Sequence, residues 1–411
     1  VTAAQHIAVL LPSLDGGGAE RSVLTLVGGF LARGRRVDLL VCRAKGALLE
    51  EVPPGARLRE LTAAGALGGR LLAARLNPAD LPALLRPVLL AKKNAPEIAR
   101  IGALRDYLDE ERPDAVLSAL TYANLTAIWA RRGSRSRPPL VVSERNALAT
   151  YCAAPHKHRK WRFRYLPELV RRSYPEADTV VAVSDHVAGE LSGPVGLAHP
   201  RLLALPNPVV DDTLAAAARR DPGHPWFEDG GPPVVLGAGR LAEQKDFATL
   251  LRAFARLRAS RELRLVILGE GDLRGELEAQ AGRLGVAEDV DLTGFVSNPF
   301  AFMARGAAFA LSSTYEGLPG VLIQAMACGC PVVSTNCPGG SAEILQDGEL
   351  GPLVPVGDDA ALAGALAGLL DTPPDAGALA RRAADFSVGG AVDAYLEVLD
   401  GAAERGRPGA M

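Results

Sequence analysis

Cysteine, histidine and long apolar runs are all scarce in this chain, and each scarcity removes a class of function. The five cysteines in 411 residues, Cys42, Cys152, Cys328, Cys330 and Cys337, form an odd set without paired metal-ligand spacing. They argue against a disulfide scaffold and for reduced, partly buried thiols in a cytosol. The six histidines are scattered, with no helix-spaced pair of the kind that binds zinc, so no metal site and no cofactor are expected. No stretch approaches the roughly 20 apolar residues that a spanning helix needs, and no basic leader precedes an apolar core. The expectation is a cytoplasmic protein. There is no internal repeat or long low-complexity segment, and Arg405 to Met411 reads as a frayed tail.

The composition that remains, 48% hydrophobic and 22% charged, is that of a folded globular chain and excludes disordered or fibrous classes. At 411 residues it exceeds what one hydrophobic core usually supports, so two domains are expected. A net charge of -2 conceals a polarity along the chain. Residues 1–205 hold 29 Lys and Arg against 19 Asp and Glu, and the remainder holds 16 against 28. The cationic first half calls for an anionic partner. No nucleic-acid module motif is present, and an anionic membrane surface fits better.

The most informative stretch is Ser312 to Glu343, which sets a carboxylate, a helix start and a glycine-rich turn in succession. Gly306 to Ser313 reads as a buried strand with Glu316 at its tip, and Leu318-Pro319-Gly320 opens a helix running to about Ala327. Proline in the first turn costs no hydrogen bond, leaving the amides of Gly320, Val321 and Leu322 to face an anion. Pro331 to Ser334 is the next strand, and Gly339-Gly340 turns into another helix. Polar residues thus collect at strand ends, where open parallel sheets bind ligands. A nucleotide diphosphate-sugar suits such a site.

Upstream, Gly237-Ala238-Gly239-Arg240-Leu241 and Glu243 to Phe247 form a strand end followed by a helix. Glycines there let the backbone approach a phosphate, and Arg240 and Lys245 bring two positive charges to it. Leu265 to Gly271 is a strand ending in a second glycine turn at Gly269. Gly294-Phe295-Val296, with Asn298-Pro299, is a third turn of the same kind.

In order and spacing, these segments resemble the retaining glycosyltransferases of family 4, which share the two-domain GT-B fold. The likeness is firm over about 206–357 and thinner before it. The family signature is a Glu, seven residues and a second Glu; here Glu316-Gly317-Leu318-Pro319 fits and the second position is Gln324. The resemblance implies that Glu316 holds the donor sugar and Gln324 the nucleotide ribose, with Leu318, Gly320, Val321 and Leu322 beside them and Phe295 against the base. A glutamine still accepts and donates, though without the charge-assisted strength of a carboxylate. The resemblance also implies a fold class of two Rossmann-like, doubly wound parallel-sheet α/β domains facing a central cleft.

In the first half, His6 to Leu11 reads as a buried strand. Gly16, Gly17 and Gly18 then open an amphipathic helix, and this loop resembles the family loop that faces the donor phosphates and sugar. Val37 to Cys42, Ala115 to Leu120, Leu140 to Ser143 and Val180 to Ser184 are further strands. Their alternation with helices implies a parallel sheet. Glu144, Arg145 and Asn146, at a strand end, are the acceptor-side candidates. Two basic segments read as surface rather than core, Arg70 to Arg100 and the denser Lys157 to Tyr165. In the latter, Lys157, Arg159, Lys160, Trp161, Arg162 and Phe163 interleave cations with aromatics as an interfacial helix does. A merely solvated face is the alternative. The resemblance favours docking at the cytoplasmic face of a membrane, since many relatives extend lipid-linked glycans.

The expected organisation is an acceptor-side domain over 1–206, a nucleotide-sugar domain over 207–385, and from 386 a helix returning to the first domain, with the tail. Asp211 to Pro233, broken by Pro222, Pro225, Pro232 and Pro233, reads as the connection. Chemically, negative charge grows on the leaving diphosphate, so fixed cations should carry catalysis, Arg240 and Lys245 above all. In the family the acceptor hydroxyl loses its proton to the leaving phosphate, and no separate base is required. Asp289-Val290-Asp291 matches the metal-binding motif of another glycosyltransferase fold, but it precedes a strand here and is expected to be structural. A non-catalytic donor-binding subunit and a sugar-nucleotide epimerase are the alternative functions.

Overall fold

The computed structural model of the protein describes residues 3–93, 95–228 and 230–406. The chain forms two compact units, one of residues 1–208 with 388–411 and one of residues 209–387. It passes between them twice, at 208/209 and at 387/388.

In the first unit, seven parallel strands follow the order β3-β2-β1-β4-β5-β6-β7. They are β1 (His6–Leu11), β2 (Arg36–Val41), β3 (Arg57–Glu60), β4 (Ala115–Ala119), β5 (Leu140–Glu144), β6 (Thr179–Ala182) and β7 (Leu202–Ala204). The central strands are buried on both faces and read as continuous apolar runs, as a sheet covered by helices requires. The helix Gly18–Ala32 buries Val23, Leu24, Leu26, Val27 and Phe30 on one stripe. The last helix, Val388–Arg405, belongs to this unit and buries Ala391, Val392, Tyr395, Leu396 and Leu399. Gly29 admits it, because a Cβ there would lie 2.2 Å from Val392 Cγ2. Asp400 then fixes the contact, accepting from the Ala4 amide at 2.7 Å and from Arg35 at 2.9 Å. Truncating the buried Leu399 to alanine should cost about 2–5 kcal/mol. Of the expected tail, Arg405 is still helical, and residues 407–411 lie outside the described residues.

In the second unit, six parallel strands follow β10-β9-β8-β11-β12-β13. They are β8 (Val234–Ala238), β9 (Arg264–Leu268), β10 (Val290–Gly294), β11 (Ala308–Leu311), β12 (Val332–Thr335) and β13 (Leu353–Val354). The order reverses direction at β8 and β11, the arrangement that opens a crevice at the carboxyl ends of those strands. Two expectations are corrected here. Asp211 to Pro233 is more than a connection: Asp211 caps a helix, Asp212–Ala218, by accepting from the amides of Thr213 and Leu214. His224 meets the rings of Trp226, Phe227 and Phe302 edge-on at 5.3–6.0 Å. This stretch is therefore bound into the second unit, since proline ends regular structure without preventing burial. Asp291 lies inside β10 rather than before it, paired with His224 Nε2 at 2.9 Å and accepting from Thr293 at 2.7 Å. Asp289 pairs with Arg258 at 2.7 Å. Both aspartates are structural, and the described residues contain no cluster that could hold a metal.

Candidate functional site

The carboxyl ends of β8, β9, β11 and β12 carry the residues expected to bind donor. Positive-φ glycines bring these ends together. A Cβ on Gly269 (φ +141°) would stand 2.0 Å from the Gly239 carbonyl oxygen, and one on Gly339 (φ +137°) would stand 2.5 Å from that of Glu316. Backbone bonds close the same seams: the Gly239 amide donates to Leu268 O at 2.9 Å, and the Gly340 amide to Gly317 O at 2.8 Å. Side chains larger than hydrogen would force the loops apart.

β11 stops at Leu311, two residues short of the strand expected to run to Ser313, because both serines leave the ladder for side-chain work. Ser312 donates to Lys245 O at 2.8 Å, and Ser313 donates to Glu316 Oε1 at 2.6 Å. Thr335 holds Ser313 from beneath, donating to its carbonyl at 2.6 Å. The turn Glu243–Lys245 is stitched to the same loop by Gln244, whose Nε2 donates to Tyr315 O at 2.9 Å. The result brings together two residues singled out separately in the sequence: Lys245 Nζ donates to Glu316 Oε1 at 2.6 Å. Glu316 is only 7% exposed, so this is a largely desolvated, charge-assisted bond. Ser313 escaped the sequence reading; its one signal was a hydroxyl three residues before the strand-tip carboxylate.

Arg240 is exposed at the end of β8, with no side-chain hydrogen bond or ion pair among the described residues. A guanidinium left unpaired beside a glycine turn and an ammonium at 16% exposure thus stand at the carboxyl end of this sheet. The helix Gly320–Ala327 begins at Pro319, as expected. Its amides differ from expectation in one place: the Leu322 N–H donates to Pro319 O at 3.0 Å and is not free for a ligand, leaving Gly320 and Val321. Leu318 and Leu322 are buried and serve as packing beneath the loop. Gln324 is half-buried, with no side-chain partner among the described residues. Phe295 follows β10 and is 68% exposed, a free aromatic face at the third strand end.

In the first unit, Gly16 (φ +106°) and Gly18 are exposed beside Gly17, which caps the helix that follows. The acceptor-side candidates fare differently. Glu144 is fully buried, accepting from Thr121 at 2.9 Å, from Tyr174 at 2.9 Å and from the Arg145 amide at 3.1 Å. Burial pushes its pKa up against the opposing pull of those hydrogen bonds. Arg145 is buried too, donating to Asn207 at 2.6 Å and to Tyr395 at 3.4 Å. Both are corrected to structural roles, because the partners that bury them come from distant segments. Asn146, next in line, remains half-exposed.

The segment 157–165 is not one interfacial helix. It breaks into two short turns, Pro155–His158 and Trp161–Arg164. Phe163 is removed from the membrane candidates, being buried at 8% exposure beneath Lys157 Nζ at 4.8 Å and Arg162 at 4.6 Å. Trp161 points outward at 45% exposure, with Arg159 and Lys160 exposed beside it. The turn Trp161–Arg164 packs against Leu85–Leu89, where Leu85 and Leu90 are exposed. Part of Arg70 to Arg100 is core after all, since Ala73, Leu84, Val88 and Ile98 are buried.

Two family profiles match the chain: "Glycosyltransferase Family 4" over residues 16–213 and "Glycosyl transferases group 1" over residues 232–372. A relative from Campylobacter jejuni, N-acetylgalactosamine-N,N'-diacetylbacillosaminyl-diphospho-undecaprenol 4-alpha-N-acetylgalactosaminyltransferase, is 30% identical over 361 residues, covering 86% of this chain and 87% of its own. The lipopolysaccharide core biosynthesis glycosyltransferase LpsE of Rhizobium meliloti is 36% identical over 172 residues, covering 41% of this chain and 49% of its own. Among solved structures, Anabaena HepE in complex with UDP and glucose superposes with a TM-score of 0.71 at 21% identity, over 97% of this chain and all of that one. At that identity the likeness speaks for the fold, which is that of two Rossmann-like parallel-sheet domains of the GT-B class.

Proposed function

The chain belongs to glycosyltransferase family 4, and from that premise we propose that it transfers a sugar from a UDP-sugar to a hydroxyl of a lipid-linked glycan, with retention at the anomeric carbon. The observation that carries this reading is the joint between Lys245 and Glu316 at 2.6 Å, set beside the unpaired Arg240 at glycine-lined strand ends. The donor diphosphate lies against Arg240, Lys245, Gly239 and the amides of Gly320 and Val321. Lys245 has three donors, so it can keep Glu316 and still reach a phosphate oxygen. Glu316 then presents its second oxygen to the sugar hydroxyls, while Gln324 takes the ribose and Phe295 covers the base. As the bond from the anomeric carbon to the diphosphate oxygen breaks, the acceptor oxygen bonds to that carbon and its proton passes to the departing phosphate. Charge on the leaving group grows toward Arg240 and Lys245, where preorganised donors lower the barrier most.

The Campylobacter relative, by its name, transfers N-acetylgalactosamine to a diphospho-undecaprenol glycan, which supports a hexosaminyl donor and a lipid-linked acceptor here. The UDP complex of HepE supports UDP over GDP. No helix of the described residues is long and apolar enough to cross a membrane. Peripheral attachment at the cytoplasmic face, through the basic surface around Trp161, suits such an acceptor.

Incubation with UDP-GalNAc, UDP-GlcNAc and UDP-glucose, each with and without undecaprenyl-diphosphate-linked sugar, tests the reading. The expected result is release of UDP that accelerates with acceptor, and an axial anomeric linkage in the product by NMR. Binding without release would show a donor-binding subunit. A changed sugar without free UDP would show an epimerase.

A further inference from the structure

Two adjacent hydroxyls beyond β11 each hold one member of the Lys245–Glu316 pair. Ser312 donates to the Lys245 carbonyl at 2.8 Å, and Ser313 donates to Glu316 Oε1 at 2.6 Å. Neither serine faces solvent, Ser312 being 1% and Ser313 0% exposed. A hydroxyl has a single proton to give, and that of Ser313 is committed to the carboxylate. Buried and committed in this way, Ser313 can influence a ligand only through Glu316.

The carboxylate is anchored unevenly. Oε1 accepts from Ser313 and from Lys245 Nζ, each at 2.6 Å, whereas Oε2 accepts from no group among the described residues. The two anchors differ in kind. An ammonium on a long flexible stem attracts without fixing direction, and it rotates to follow its partner. A buried hydroxyl on a short side chain, itself held in place, is directional. Ser313 is held: Thr335, 0% exposed at the end of β12, donates to its carbonyl at 2.6 Å. The backbone of Glu316 is held from the loop after β12, its amide donating to Pro338 O at 2.8 Å. With the backbone and Oε1 both tied, the side chain loses the rotamer freedom that would otherwise let either oxygen turn toward a ligand. Lys245 is also the residue assigned to the donor diphosphate, which draws on its charge. The bond from Ser313 is the one anchor of Glu316 for which the donor does not compete.

We propose that Ser313 is a positioning residue of the transfer reaction, locking Glu316 Oε1 so that Oε2 alone meets the hydroxyls of the donor sugar. The inference rests on the glycosyl-transfer reading and deepens it, adding to Glu316 the group that aims it.

Release of UDP from UDP-GalNAc, UDP-GlcNAc and UDP-glucose is followed in single turnovers with excess enzyme and undecaprenyl-diphosphate-linked sugar, so that slow variants remain measurable. The proteins are wild type, Ser313→Ala, Ser313→Thr, Glu316→Ala and Ser313→Ala with Glu316→Ala, and the UDP affinity of each is measured by calorimetry. On the donor that wild type uses fastest, Ser313→Ala should be slower by roughly tenfold or more, the weight of one hydrogen bond to a charged group. UDP carries no sugar, so its affinity should stay within about threefold of wild type, which also shows that each variant has folded. Ser313→Thr keeps the hydroxyl and should regain most of the rate. In the Glu316→Ala background, Ser313→Ala should change the rate by less than about twofold, because residues that act as a unit are not additive. An equal loss with and without the Glu316 carboxylate would overturn the assignment, since Ser313 would then act by another route. So would full activity of Ser313→Ala, or a fall in UDP affinity as large as the fall in rate, which marks a collapsed loop. No UDP binding by wild type, or binding without release, would instead overturn the transfer reading, and this assignment would fall with it.

Discussion

Arg240→Ala and Lys245→Ala remove the two cations assigned to the leaving diphosphate, and their different surroundings make the pair informative. Arg240 is exposed and without a side-chain partner among the described residues, so its loss should change folding stability by less than about 0.5 kcal/mol. Lys245 is different. Its removal leaves Glu316, 7% exposed, with Ser313 as the remaining donor to Oε1, and an under-satisfied buried carboxylate costs about 1–3 kcal/mol. In turnover the two should converge. Loss of one preorganised donor to developing negative charge costs about 3 kcal/mol, or roughly 100-fold. The assay is release of UDP under saturating donor, with thermal unfolding of the same preparations. The expected pattern is both variants slowed about 100-fold while only Lys245→Ala melts lower. Near wild-type turnover in both would refute the assignment of the leaving-group site. A slow Arg240→Ala that also melts several degrees lower would show that its guanidinium holds structure rather than charge.

Glu316→Gln keeps shape and hydrogen-bond reach but removes charge, and should lower saturated turnover more than donor affinity; the reverse split would move Glu316 from the sugar to the nucleotide. Gln324→Glu should alter mainly donor affinity, because a ribose contact binds ground and transition states alike; a rise in turnover by orders of magnitude would mark the natural Gln as disabling. Activity should persist in excess chelator, since positive side chains stand where a cation would otherwise sit, and loss rescued by manganese or magnesium would show another way of holding the diphosphate. Vesicles containing anionic lipid should bind the protein more weakly after Arg159→Glu with Lys160→Glu, by about 1 kcal/mol for each basic residue lost near the surface, and more weakly as salt rises; equal binding of both proteins would leave this face merely solvated.

The strand-end cluster proposed to hold the donor was legible in the sequence because its parts are local. A strand end, a glycine turn and a helix start occupy consecutive residues, so Gly239, Gly269 and Glu316 declare themselves by composition and order. The apolar strand runs likewise determined the two parallel sheets, since only strands covered on both faces carry continuous Val, Leu and Ile. What the tertiary structure decided are the pairings between distant segments. Lys245 and Glu316 are 71 residues apart, and they meet because β8 and β11 are neighbours in the sheet. Glu144 reads as a free carboxylate at a strand end until Thr121 and Tyr174 arrive from other elements to bury it. Phe163 and Trp161 are two residues apart in a basic run, yet one ring is core and the other faces solvent, because two short turns replace the continuous helix that the run suggests. Chain order specifies which chemistry stands at the end of each element, but burial and partner choice depend on which elements the sheet order sets side by side.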